Sequence, residues 1–290
     1  MGKFKQILCD ISELIVFKHS IFSLTFIFTA MITASKILNN SMWFGFKLLI
    51  LGILCAVSAR NFAMACNRLI DEDIDRPNPR CANRPSVDGR IGRGNLILFI
   101  VLNGIFFVVV SYFINSLAFK LSFFFLFLLF IYSFFKRFSS TAHIMLGVCS
   151  ALAPLAGAIA VLGYIPLWSL LLACASAFWV GGFDILYSLQ DIEYDRKAGL
   201  YSIPSIYGEN ASLFISALFH AVTVLFWLFY AGAAGLGFWA YFGIIISALI
   251  LVKEHRIVRK DFSKIDRAFF TLNGYLGIMF FVFIFIDLWN

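Results

Sequence analysis

Two acidic stripes, Asn67-x3-Asp71-x3-Asp75 and Asp184-x6-Asp191-x3-Asp195, stand 120 residues apart in an otherwise apolar chain. Each lies where a long apolar run gives way to a basic loop. Residues four apart on a helix drift by only about 40 degrees, so each pair of carboxylates can offer its oxygens together to a hard cation. Glu72 and Asp73 point elsewhere on the same helix. Magnesium takes one or two carboxylates together with waters and phosphate oxygens, and two stripes suit two or more ions bridged by a diphosphate. Asn67, Asp71, Asp75, Asp191 and Asp195 are the candidate metal ligands. The anion must come from a substrate. Arg80 and Arg84, just past the helix end expected at Pro77 and Pro79, can meet its phosphate oxygens bidentately. Lys136, Arg137 and Lys197 are further candidates, although for Lys136 and Arg137 a plain cytoplasmic-loop role reads equally well. One DxxxD alone is as readily a polar helix end facing water; a second in the corresponding place favours a site.

Two further charges lie inside apolar runs. Arg60 precedes Asn67 by seven residues and Asp184 precedes Asp191 by seven, so each extends its stripe about two turns deeper. Ionisable groups at membrane depth are expensive and are usually paired or functional. The two either act in the site or pair with each other structurally. Tyr187, near the face of Asp184 and Asp191, either orients a substrate or packs. His19 and His143 sit near the inner ends of apolar runs without metal-ligand spacing and stay unassigned.

The elements that must position these residues are membrane helices. Hydrophobic residues make up 61% of the chain and charged residues 13%, with a mean hydropathy of +0.91, far from the averages of soluble domains. Apolar runs of about 18 to 23 residues suffice to span a bilayer. Nine are read, near 21–38, 43–66, 95–115, 118–135, 142–162, 165–187, 211–230, 233–252 and 268–288. They lack the alternating polarity of barrel strands, so an all-α bundle of about nine transmembrane helices is expected.

Basic residues in short loops stay on the cytoplasmic side. A cytoplasmic N-terminus places Lys3, Lys5, Lys18, the Arg68–Arg93 loop, Lys136, Arg137, Arg196, Lys197 and the run from Lys253 to Arg267 on one side, together with both stripes. A multi-pass protein of the cell's inner membrane with its site toward the cytoplasm is expected. The net charge of +7 follows alternate loops and forms no single basic face, which argues against nucleic acid as a partner. Residues 1–20 set Phe4, Ile7, Leu8, Ile11, Leu14 and Ile15 on one helical face, as in a helix lying on the bilayer surface, with no small-residue cleavage site after it. The six cysteines show no CxxC spacing and read as small buried apolar residues. The chain reads as one domain, 1–290. Both stripes end in DxxxD-Arg followed by a Pro-containing loop, a faint internal echo that suggests two parallel halves around one site.

The stretch from Asn67 through Asp71, Asp75, Arg80 and Arg84 to Pro85, followed by Gly89-Arg90-Ile91, resembles the first signature of the UbiA family of intramembrane prenyltransferases. Asp184-x2-Tyr187-x3-Asp191-x3-Asp195-x3-Gly199, with Ser202 and Pro204 following, is similar to the second. Lys18-His19-Ser20 and Tyr132-x3-Lys136-Arg137 are minor matches, and the resemblance runs over nearly the whole chain. It implies a nine-helix bundle with a pocket near the cytoplasmic face, partly open to lipid. It further implies transfer of a prenyl chain from an allylic diphosphate to an acceptor, usually aromatic. By that similarity the stripe carboxylates and Asn67 hold Mg2+ and diphosphate, while Arg60, Arg80, Arg84 and Lys197 stabilise the leaving group. Arg68 departs from the acidic residue that many members carry after the Asn, so less weight falls on a metal ligand there.

That chemistry needs no nucleophilic triad or redox centre. Magnesium and arginine stabilise charge on the departing diphosphate, an electron-rich ring captures the allylic cation, and a proton is lost to diphosphate or a nearby carboxylate. Within the family the sequence is most similar to the 4-hydroxybenzoate polyprenyltransferase branch, including relatives that prenylate a dihydroxynaphthoate. Cys66-Asn67-Arg68-Leu69-Ile70-Asp71 resembles the latter in particular. The expected partners are a polyprenyl diphosphate, an aromatic acid and the lipid bilayer. Two rivals stand beside this reading. A secondary transporter would use the stripes for coupling ions, near the bilayer midplane. A CDP-alcohol phosphotransferase also binds a metal diphosphate with aspartates, but Ala59-Arg60 has no Asp-Gly before it.

Overall fold

A computed structural model describes residues 3–15, 20–260, 265 and 271–290 of the chain. Lys18, His19, Lys264 and Arg267, which entered the topology and signature arguments, lie outside these residues. An N-terminal helix, α1 (Lys3–Leu14), is followed by α2 (Ser20–Asn39), α3 (Phe46–Ile70) and the short α4 (Glu72–Asp75). Then come α5 (Arg93–Ile114), α6 (Ser116–Ile131), α7 (Ala142–Leu162), α8 (Leu167–Ser188) and α9 (Ile192–Ala198). The described chain closes with α10 (Ile203–Ala233), α11 (Phe238–Lys260) and α12 (Asn273–Trp289). Among the described residues the architecture is all-α, with a helix in each of the nine expected apolar runs.

By length and apolarity the described residues give six helices able to cross a membrane: α3, α5, α6 with the turn after it, α7, α8 continuing through α9, and α10. The apolar parts of α2 and α12, Leu24–Asn39 and Asn273–Trp289, are shorter. The last two turns of α11 carry Lys253, Glu254, His255, Arg256, Arg259 and Lys260, which dilute its apolarity. Of the nine expected spans, six thus coincide with a described helix that meets that criterion.

Among the described residues the long helices close a ring in chain order, each packing on the next, until α12 returns to α2. α2 also packs along α7 and so divides the ring. Gly157 makes that possible, because a Cβ there would collide with the Ile27 carbonyl oxygen of α2. One side of the divide is filled. Phe26, Trp179, Trp227, Tyr230 and Phe280 pack from α2, α8, α10 and α12 with almost no exposure. Phe26 and Phe280 stack at 5.5 Å between centroids, and Trp227 meets Phe280 tilted by 30° at 4.9 Å.

Several polar groups inside this half bond to one another, as burial in lipid favours, although Trp227 Nε1 and Glu254 Oε2 have no hydrogen-bond partner. Trp179 Nε1 donates to Asn273 Oδ1 at 2.9 Å, and Asn273 Nδ2 donates to Glu254 Oε1 at 2.7 Å. His220 joins His255 at 2.9 Å. These bonds tie α8 to α10, α11 and α12 and hold α8 as the most enclosed helix. On the other side, α5 and α6 turn Leu98, Leu102, Ile105, Phe123 and Phe127 outward, as expected of lipid-facing walls. There the ring interior is open and forms a cavity.

α1 differs from the simple surface helix expected. Leu14 and Ile15 are 1% and 4% exposed, packed with Ala65 and Leu96 of α3 and α5. Protein covers this end of its apolar face. Arg90 fastens α1 to the loop after the first stripe, with bonds to Glu13 at 2.6 and 3.0 Å and to Asp10 at 3.2 Å. All six cysteines are free thiols, three of them buried.

Candidate active site

The first stripe does not run along one helix to the prolines. α3 ends at Ile70, and Asp71 sits at the break with φ −91° and ψ 5°, six residues before Pro77. One helical turn follows, and its last residue is Asp75. The second stripe repeats the device: a 3-10 turn over Leu189–Asp191 follows α8, Asp191 has φ −102° and ψ 4°, and α9 then carries Asp195. These φ/ψ values lie in the sparsely populated bridge region. The chain therefore turns at the first carboxylate of each stripe and presents the second one turn later.

Tyr194 donates from its hydroxyl to the Ile74 carbonyl at 2.6 Å, joining the two short helices directly. Arg80 crosses from the first loop to ion-pair with Asp191, and its guanidinium lies 5.1 Å from the centroid of the Tyr187 ring. Between the stripes opens a cavity of about 830 Å³. Of the thirteen residues predicted for the site, Asn67, Asp71, Asp75, Arg80, Arg84, Lys136, Asp191 and Asp195 line its charged end, and Arg60, Asp184 and Tyr187 line it more deeply. Met31, Gly52, Ala56, Phe107, Leu121 and Ile159 line the apolar remainder.

Arg137 and Lys197 are not brought there. Arg137 binds the Asp73 carboxylate at 2.6 and 2.9 Å and the Ile70 carbonyl, completing the C-terminal end of α3. It holds the Asp73 carboxyl below the ordinary aspartate range. Lys197 is exposed on α9 and lines no part of the cavity. Positive charge in a cytoplasmic loop predicts proximity to the site, not direction, and neighbouring residues on one turn face different ways.

Every stripe carboxylate has a partner. Lys136 Nζ lies 2.7 Å from Asp71 Oδ2, which also accepts from Asn67 Nδ2 at 2.7 Å. Arg84 pairs with Asp75, and Arg68 Nη1 lies 3.8 Å from the same oxygen. Ser202 donates to Asp195 Oδ2 at 2.7 Å. Asp71 is only 2% exposed, and burial pushes its carboxyl above the ordinary range against the opposing pull of Lys136. Its Oδ1 is buried without a hydrogen-bond partner. A buried carboxylate oxygen without a hydrogen-bond partner beside a second acidic stripe fits magnesium, an oxygen-seeking cation. Among the described residues no three His, Cys, Asp or Glu side chains make a cage by themselves. A divalent ion here would need oxygens from a ligand, as magnesium prefers.

Deeper in the cavity, Asp184 takes a different partner from the Arg60 considered for it. His143 Nδ1 lies 2.7 Å from Asp184 Oδ2, and the Ile203 N–H donates to His143 Nε2 at 3.3 Å. Sequence reasoning missed this role of His143, which is 41 residues from Asp184 in the chain. Arg68, read from the sequence only as a departure from the family pattern, reaches Asp75 across the break at Asp71.

Residues 23–284 match the UbiA prenyltransferase family. The 4-hydroxybenzoate octaprenyltransferase of Aeromonas salmonicida is 31% identical over 225 residues, 77% of each chain. That of Yersinia enterocolitica is 30% identical over 247 residues, 83% of each. The fold is similar to that of a UbiA homolog from Aeropyrum pernix K1, with a TM-score of 0.83 at 29% identity over 93% of this chain and 98% of that one. A UbiA homolog from Archaeoglobus fulgidus, solved bound to GPP and Mg2+, shares the fold at a TM-score of 0.71 and 20% identity, over 97% of this chain and 100% of that one. With the paired stripes closing one cavity inside a ring of membrane helices, the chain belongs to the UbiA prenyltransferase family and is a multi-pass membrane enzyme that transfers prenyl groups.

Proposed function

We propose that the protein transfers a polyprenyl group from an allylic polyprenyl diphosphate to an aromatic acid precursor of a quinone, 4-hydroxybenzoate or a dihydroxynaphthoate, in a magnesium-dependent reaction. One observation carries the reading. A charged end lined by paired acids and bases is continuous with an apolar interior, which suits a molecule that is diphosphate at one end and hydrocarbon at the other. Relatives named for 4-hydroxybenzoate support the aromatic acid. The family assignment displaces the phosphotransferase and transporter readings.

Substrate binding exchanges partners that already face one another. Asn67, Asp71, Asp75, Asp191 and Asp195 would hold the metal, with the orphaned Asp71 Oδ1 foremost. Lys136, Arg84 and Arg80, now on Asp71, Asp75 and Asp191, are released toward phosphate oxygens, Arg80 and Arg84 with forked donors. When bound, magnesium supplies charge neutralisation at the departing diphosphate. The arginines add preorganised donors there, aligned in advance by Tyr187 and Asp75. The apolar walls exclude water from the allylic carbon, and the ring faces of Phe107, Phe125 and Phe183 line the space beside it. The N-terminus and the charged end are placed on the cytoplasmic side of the cell's inner membrane, where the basic loops would be retained.

The test is incorporation of a labelled polyprenyl diphosphate into 4-hydroxybenzoate and into dihydroxynaphthoates by membranes carrying the protein. A prenylated acid whose formation EDTA blocks and magnesium restores is the expected result. Folded protein that prenylates none of these acids would overturn the acceptor assignment.

A further inference from the structure

We propose that Asp184 is the base that takes the ring proton of the acceptor, and that His143 is the positioning residue that aims it. The inference rests on the aromatic-acceptor reading above. Asp184 lies inside α8, one turn before its end at Ser188, and Asp191 lies beyond that end, past the 3-10 turn. A diphosphate met by Arg80 and Arg84, with its chain in the apolar interior, puts its reacting carbon between those regions. Asp184 lines that stretch, its side chain 23% exposed.

The hydrogen bonds fix the histidine. A backbone N–H can only donate, so His143 Nε2 must accept from Ile203, and the ring proton lies on Nδ1. Nδ1–H then donates to Asp184 Oδ2 at 2.7 Å. With Nε2 accepting, the imidazole is neutral; it is 4% exposed and holds Asp184, which lines the cavity, through Oδ2. Ring nitrogens fixed on one side and donating to a carboxylate on the other are how proteins set the direction of such a group. The anchor is shared with the second stripe. Ser202, next to Ile203, caps α10 and holds Asp195, while the Tyr201 N–H donates to the Lys136 carbonyl at 2.8 Å.

In the reaction the allylic C–O bond breaks and its electron pair leaves with diphosphate. A π pair of the ring then forms the new C–C bond. The ring C–H electron pair restores aromaticity, and its proton goes to Asp184 Oδ1. The cationic ring is a strong acid, so a weakly basic carboxylate suffices once it is aligned, and alignment is what His143 secures.

The experiment uses the full-length protein in nanodiscs, with acceptor deuterated at the ring position substituted, and reads prenyl transfer and diphosphate release separately. Asp184→Asn should lower transfer by about 100-fold or more, keep diphosphate release, and acquire a primary isotope effect absent from the wild type. His143→Ala should lower kcat by about 10–100-fold with KM for the prenyl diphosphate unchanged. His143→Asn, whose amide can replace Nδ1–H, should recover most of that loss, whereas His143→Gln, with its amide at the Nε2 position, should not. Transfer and release falling together in Asp184→Asn without an isotope effect would assign Asp184 to the donor half and overturn the proposal. So would equal rates in the Asn and Gln variants of His143, which remain informative should the Ala variant not fold. Failure of the acceptor reading looks different: the wild type itself then prenylates no aromatic acid.

Discussion

The two stripes share one backbone design and differ in what surrounds them. In the first, Asp71 and Asp75 are matched by Lys136, Arg84 and Arg68. In the second, Asp195 and Asp184 have neutral donors, Ser202 and His143, and Asp191 borrows Arg80 from the first loop. The echo in sequence is therefore a repeat of the carboxylate-bearing element without a repeat of its counter-charges. The lesson is that the cations paired with both stripes come from the first half of the chain, while Asp195 and Asp184 of the second are held by neutral groups. Neutral donors orient a carboxylate without neutralising it, which leaves its charge for a cation.

The largest test of this comparison removes the shared part. Asp71→Ala and Asp191→Ala should each lower transfer by at least about 10²–10³-fold, with melting temperature retained because both sit at polar helix ends. Activity in either variant near that of the wild type would break the equivalence of the stripes. Next comes the borrowed cation. Arg80→Gln should raise KM for the prenyl diphosphate by about 10–100-fold, as expected for a charge-assisted bond of about 1.5–3 kcal/mol. A lone rise in the magnesium requirement, with KM for the diphosphate unchanged, would move Arg80 out of the phosphate site.

Ser202→Ala removes one neutral hydrogen bond of about 0.5–1.5 kcal/mol, so the magnesium concentration for half-maximal rate should rise by up to about tenfold. An effect on diphosphate KM alone would contradict the division of labour. A titration sharpens the same point: protons compete with the metal for Asp71, and its raised pKa brings that competition to higher pH than at an ordinary aspartate. The magnesium requirement should grow as pH falls toward the mildly acidic range, and a flat dependence would remove Asp71 from the ligand set. The smallest effect is expected at Arg137→Gln, which breaks a partly exposed pair with Asp73. Its cost in stability should stay within about 1 kcal/mol, with both KM values unchanged; a raised diphosphate KM would return Arg137 to the site.

Much of this was legible in the chain. The apolar runs set the helices because in lipid only a helix satisfies its own backbone locally. The four-residue spacing of Asp71 with Asp75 and Asp191 with Asp195 marked the site because side chains one turn apart stay together even across a break. The breaks themselves were misplaced. Pro77 and Pro79 pointed to a helix end that falls at Asp71 instead, and the second stripe carries no proline at its break. Arg137 and Lys197 were over-read because loop charge fixes the side of a membrane and not the facing of a side chain.

What the sequence determined by itself is local: helices, the membrane, the acidic stripes and the family signatures all rest on interactions within a few turns. The tertiary structure decided the rest, because those features join residues whose distance in the chain carries no information about distance in space. It put Tyr194 on Ile74 across 120 residues, Arg80 on Asp191 across 111 and His143 on Asp184 across 41. It also decided that one half of the ring is packed with aromatic side chains while the other encloses a cavity, since both halves are written as apolar runs and which helices close on one another is not.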